Sequence, residues 1–127
     1  MDKILAEISA GELIDKITIL EIKKEKINEK EKLVEVEKEL NSLNHTKEKF
    51  ITNNNLISDY KDKLKDINSK LWDVENGKRA AEKKQDFGQD FISLARNVYK
   101  LNDERAKIKL AINNTLGSNI KEVKSHE

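Results

Sequence analysis

The run Ile57-Ser58-Asp59-Tyr60-Lys61-Asp62-Lys63-Leu64-Lys65-Asp66-Ile67-Asn68-Ser69-Lys70-Leu71-Trp72-Asp73-Val74 places Ile57, Tyr60, Leu64, Ile67, Leu71 and Val74 at intervals of 3, 4, 3, 4 and 3. That period sets six apolar side chains along one stripe of an α-helix, with charged residues around the rest of its surface. The helix it predicts runs 56–84, after the turn-prone cluster Asn53, Asn54 and Asn55. Asn76-Gly77 interrupts the pattern at a cost of about 1 kcal/mol, but Ala80 and Ala81 favour continuation.

Working outward, Asp86 with Gln89 reads as a cap for a helix over 86–116 that carries Phe91, Leu94, Val98, Leu101, Ile108 and Ile112. Gly117 falls where a left-handed C-terminal cap belongs. Two helices of similar length joined by a short loop imply an antiparallel hairpin. Toward the N-terminus, Ser9 and Glu12 form a capping box that opens a helix over 10–27 with Ala10, Leu13, Ile14, Ile17 and Leu20 on its apolar face. Asn28 and Glu31 repeat that logic for a helix over 29–52 bearing Leu33, Val36, Leu40, Leu43 and Phe50. One continuous helix from 10 to 52 is the rival, because the register of Ile19, Ile22, Leu33 and Val36 runs through the break. Lys3 to Ser9 alternates like a short extended arm, and 118–127 is a polar tail. The expected architecture is all-α: one domain over 1–127, an antiparallel bundle of three to four long helices with coiled-coil-like packing.

Composition agrees. The chain has 127 residues, no Pro and no Cys, and 39% of it is charged. Missing proline removes the strongest helix breaker, and missing cysteine rules out disulfides and thiol-based metal or nucleophile chemistry. The 25 basic and 24 acidic residues leave a net charge of +1. Lysines and glutamates are interleaved, as in Glu29-Lys30-Glu31-Lys32, so no basic stripe forms and nucleic acid is not expected as a partner. No apolar run approaches the roughly 20 residues of a membrane span, and no signal-peptide core is present, which implies a cytoplasmic protein. His45 and His126 each lack a second ligand three or four residues away, so neither a metal nor a cofactor is expected. Asp86-Phe87-Gly88 spells the kinase magnesium motif without the motifs that accompany it, and chance explains it.

Function in a helical bundle sits in side chains that break the buried stripe. Glu21 lies four residues after Ile17 on the apolar face of the first helix. Arg105 stands in the row Phe91, Val98, Arg105, Ile112, and Asn102 lies beside it. Trp72, the sole tryptophan, shares a second stripe with Asn68, Glu75 and Arg79. All three arginines, Arg79, Arg96 and Arg105, are in the second half of a lysine-dominated chain, which suggests forked recognition of a carboxylate or phosphate. The plain alternative is that Glu21, Asn102 and Arg105 pair with one another and fix helix register.

Two segments carry a resemblance. Ser9-Ala10-Gly11-Glu12-Leu13-Ile14-Asp15-Lys16-Ile17-Thr18-Ile19-Leu20-Glu21-Ile22-Lys23 is similar to the opening signature of a bacterial and phage family, domain of unknown function number six-one-six-five. Leu71-Trp72-Asp73-Val74-Glu75, Ala95-Arg96, Val98-Tyr99, Asn102-Asp103, Arg105-Ala106 and Leu116-Gly117-Ser118 continue it. The family implies a helical fold with no assigned activity, and its motif includes Glu21, Trp72, Arg96, Tyr99, Asn102 and Arg105. Where relatives carry Asp-Pro, this chain has Asn28-Glu29-Lys30.

The functional expectation is a non-enzymatic helical interaction module. It self-associates as a homodimer, or binds a partner protein, through Ile19, Ile22 and the second apolar side of the first helix. The alternative is a binder of an anionic small molecule, or a chorismate-mutase-like helical enzyme, using a polar pocket between helices. Its candidate residues are Glu21, Trp72, Glu75, Arg96, Tyr99, Asn102 and Arg105.

Overall fold

A computed structural model describes residues 1–124, so Ser125, His126 and the end of the predicted tail lie outside the described residues. The chain is all-helical, with α1 over Ala10–Lys26, α2 over Lys30–Phe50, α3 over Ser58–Lys84 and α4 over Gln89–Leu116. A single 3-10 turn, Asn54–Leu56, precedes α3.

Local chemistry sets each boundary. Ser9 caps α1 as expected, its hydroxyl accepting from the Glu12 N–H at 3.0 Å. The chain leaves the helix at Ile27 in an extended conformation, so α1 and α2 are separate helices. Asn28 does not serve as the cap. Glu29 holds that position without a side-chain cap bond, its carboxylate lying 3.2 Å from Lys32 instead. α2 stops two residues short of the predicted 52 because Ile51 turns inward and is buried. α3 starts two residues later than predicted, since Ile57 is drawn into the core from the end of the 3-10 turn. It then runs straight through Gly77, where a Cβ would lie 3.0 Å from Leu94 Cδ1. The glycine therefore lets α4 approach closely. Asp86 does not cap α4 either. Gln85 takes the left-handed conformation that ends α3, the Asp86 carboxylate accepts from the Gly88 N–H at 3.2 Å, and α4 begins at Gln89. Gly117 is left-handed at φ 66°, as the sequence implies.

α1 is the centre of the fold. It packs against each of the other three helices, whereas α2 and the α3/α4 hairpin hardly meet except through it. Leu13, Ile14, Ile17 and Leu20 form the core with Val36 and Leu40 of α2, Ile51, Ile57, Leu64 and Ile112. Fully burying each such side chain contributes roughly 1.5–3 kcal/mol. The pairing along α1 shows where it sits on the hairpin. Gly11 meets Asn113 and Asp15 meets Arg105, which is antiparallel to α4. On the α3 side Asp15 and Thr18 both meet Asn68, Glu21 meets Lys61 and Glu25 meets Lys65. These contacts seat α1 over the open end of the hairpin, where α3 begins and α4 ends. Ile22, expected at an intermolecular seam, is only 2% exposed because α1's second side faces the chain's own hairpin.

Candidate functional site

The hairpin-facing side of α1 carries Gly11, Asp15, Thr18 and Ile22, a 4-3-4 row that is buried throughout. Each polar group on this side and its flanks meets a complementary one. The Gly11 N–H donates to Asn113 Oδ1 at 2.6 Å, and a Cβ on Gly11 would sit 2.5 Å from the Lys109 carbonyl oxygen. Lys109 Nζ reaches Glu12 at 2.5 Å. Asp15, 0% exposed, accepts from Arg105 through both oxygens, with Nε at 2.9 Å from Oδ1 and Nη2 on Oδ2. Asn68 Nδ2 donates to Asp15 Oδ1 and to Thr18 Oγ1, each at 2.9 Å. Farther along, Lys61 pairs with Glu21 at 3.5 Å and Lys65 with Glu25 at 2.8 Å.

The electrostatics follow from these pairs. The hydrogen bonds that the Arg105 guanidinium donates to Asp15 raise its already high pKa, against the opposing effect of burial. The Lys65 hydrogen bond lowers the Glu25 carboxyl, and Glu25 raises Lys65 in return. A fork-to-fork pair around a buried carboxylate is strong and directional, and it fixes where α1 sits on the hairpin.

Beside this network the hairpin face opens into a cleft of about 490 Å³, walled by Ile19 and Ile22 of α1, Leu71, Trp72, Glu75, Asn76 and Arg79 of α3, and Asn102 and Arg105 of α4. Four of the seven residues singled out from sequence meet here: Trp72, Glu75, Asn102 and Arg105. The other three do not. Arg96 and Tyr99 are exposed residues of α4 outside the cleft. Glu21 pairs with Lys61 rather than with Arg105 or Asn102, and its Oε1 is buried with no hydrogen-bond partner among the described residues. Arg105 does bond Asn102, with Nη1 3.4 Å from Oδ1. Its main partner, Asp15, went unseen, as did Thr18, Lys109 and Asn113. A readable signal existed. Glycine within the first turn of a helix weakens it unless a neighbouring backbone comes close, and Gly11 heads the buried row.

The row on α1 lies within Ser9–Lys23, and its α4 partners lie within Asn102–Ser118. A family model matches residues 4–127 and so takes in both segments. The chain belongs to DUF6165, a family of unknown function. No curated protein and no solved structure matches it. Among the described residues, no group of His, Asp and Glu side chains could hold a metal ion, and no helix is long and apolar enough to cross a membrane.

Proposed function

We propose that the chain is a non-enzymatic helical interaction module that self-associates along the outer face of α4. The observation that carries this is a row of uncovered apolar side chains: Ile92, Tyr99 and Leu110 are 45%, 53% and 45% exposed. At 100° per residue they fall within about 20° of a common line along α4. Exposed apolar side chains scattered singly need no partner, but a row along a rigid rod is a seam in want of one. Arg96 and Asp103 flank the same line, so two copies of α4 laid antiparallel would bring unlike charges together twice, as an isologous two-fold contact requires. Asp103 also holds Lys124 at 2.6 Å, which places the tail at the edge of this surface. The Asp15–Arg105 pair supports a structural role for the polar interior, because the charge of Arg105 is already met within the chain.

Sedimentation velocity over a range of concentrations tests the reading. A dimer is expected, converted to a monomer by Tyr99→Glu with helical circular dichroism unchanged. A wild-type monomer at every concentration, with a melting temperature independent of concentration, would overturn it.

A further inference from the structure

The cleft beside the Asp15–Arg105 pair presents more hydrogen-bond donors than the chain uses. Arg79 lines it as an exposed residue, with no ion pair or hydrogen bond among the described residues. Asn102 accepts from Arg105 through Oδ1, and its amide hydrogens meet no acceptor among those residues. The indole N–H of Trp72, half-buried in the wall, is also without one. Against these donors stands one lining carboxylate, Glu75, whose oxygen lies 3.6 Å from Lys78. Asp15 neutralises Arg105 from beneath, so the cation left free at the cleft is the single guanidinium of Arg79, with the Glu75 carboxylate held toward Lys78. The remaining wall is the Trp72 ring with Ile19, Ile22 and Leu71.

We propose that this cleft binds a small carboxylate with an apolar or aromatic body, the carboxylate on Arg79 and Asn102 and the body against Trp72, Ile19 and Ile22. Its volume falls in the range of about 300–1,000 Å³ typical of small-molecule sites. One unneutralised guanidinium matches a singly charged, forked acceptor. A doubly charged phosphate would find no second free cation and would face Glu75. A larger groove of about 670 Å³ at the other end of the bundle lacks this chemistry, since Glu7 is its only ionisable lining residue. The proposal does not rest on self-association, whose row on α4 is turned about 60–80° away from Asn102.

Trp72 is the only tryptophan, so its fluorescence reports on the cleft directly. The full chain is titrated with phenylacetate, phenylalanine and the uncharged 2-phenylethanol. A saturable change in Trp72 emission is expected with phenylacetate, and binding at least roughly tenfold weaker with the alcohol. Arg79→Ala should weaken phenylacetate binding by a similar factor, with circular dichroism unchanged, because the side chain is exposed and holds no ion pair or hydrogen bond among the described residues. Tighter binding of phenylalanine would assign the ligand to amino acids, with the ammonium on Glu75; weaker binding would assign it to simple carboxylic acids. Both support a carboxylate site. No saturable change with either carboxylate up to about 10 mM, equal affinity for the alcohol, or indifference to Arg79→Ala would overturn it. Repeating the titration in Ile92→Glu, ten residues from Asn102 along α4, keeps this result separate from the oligomeric state.

Discussion

Asp15 shows how much one buried carboxylate can decide. With no exposure and both oxygens bonded, it tolerates no loss of Arg105. Arg105→Leu leaves that charge stranded, and the expected cost is about 3–5 kcal/mol in chemical denaturation. Adding Asp15→Leu removes the stranded charge, so the double variant should be more stable than Arg105→Leu alone. A double variant less stable than the single one would contradict this account. Arg105 is legible in the sequence because it interrupts an apolar row. Asp15 is not, because Gly11, Asp15 and Thr18 read as small and polar, which is the usual mark of a solvated face. They become interior only because α1 packs on the hairpin, and in the sequence that approach is signalled by Gly11 alone.

At the scale of elements, the four helices and the left-handed Gly117 follow from spacing and capping chemistry, while two proposed caps do not. Asn28 and Asp86 have the right residue type, but nearby side chains take other partners, Glu29 with Lys32 and Asp86 with the Gly88 N–H. The tail is the element that sequence described least. Glu122 accepts from Ser9 and, at 2.8 Å, from Asn113 Nδ2, and Lys109 stands 3.5 Å away. Ser118 Oγ accepts from the Ala10 N–H at 3.0 Å, so the tail closes over the start of α1. Burial pushes the Glu122 carboxyl up, but hydrogen bonds from Ser9, the backbone and Asn113, with the charge of Lys109, outweigh it and hold the group below its ordinary range. The folded chain thus binds a proton there less readily than the unfolded one. The stabilisation is present above the ordinary glutamate value that the unfolded chain keeps and is lost as pH falls through the lower folded value. Melting temperatures of wild type and Glu122→Gln should accordingly differ at pH 7 and converge in acid. A gap that persists or widens there would assign the contact to something other than this carboxylate.

Across the whole molecule, packing is uneven. The base has three layers, α2, α1 and the hairpin, whereas the far half of the hairpin has two helices and, past Val74, no residue buried until Ile112. Amide hydrogen exchange should be slowest in α1 and in the parts of α3 and α4 it touches, and distinctly faster over 78–90. Uniform protection along α3 would show that the far half is covered, as by a second copy. The same layout orders assembly in time. The Gly11–Asn113 bond spans 102 positions of sequence and the Ser9–Glu122 bond spans 113. At about 5–20 residues per second of synthesis, α1 emerges several seconds before the side chains that seat it. α1 is therefore made well before its full seat exists, and in the interval its apolar surface has only α2 and then α3 to shield it.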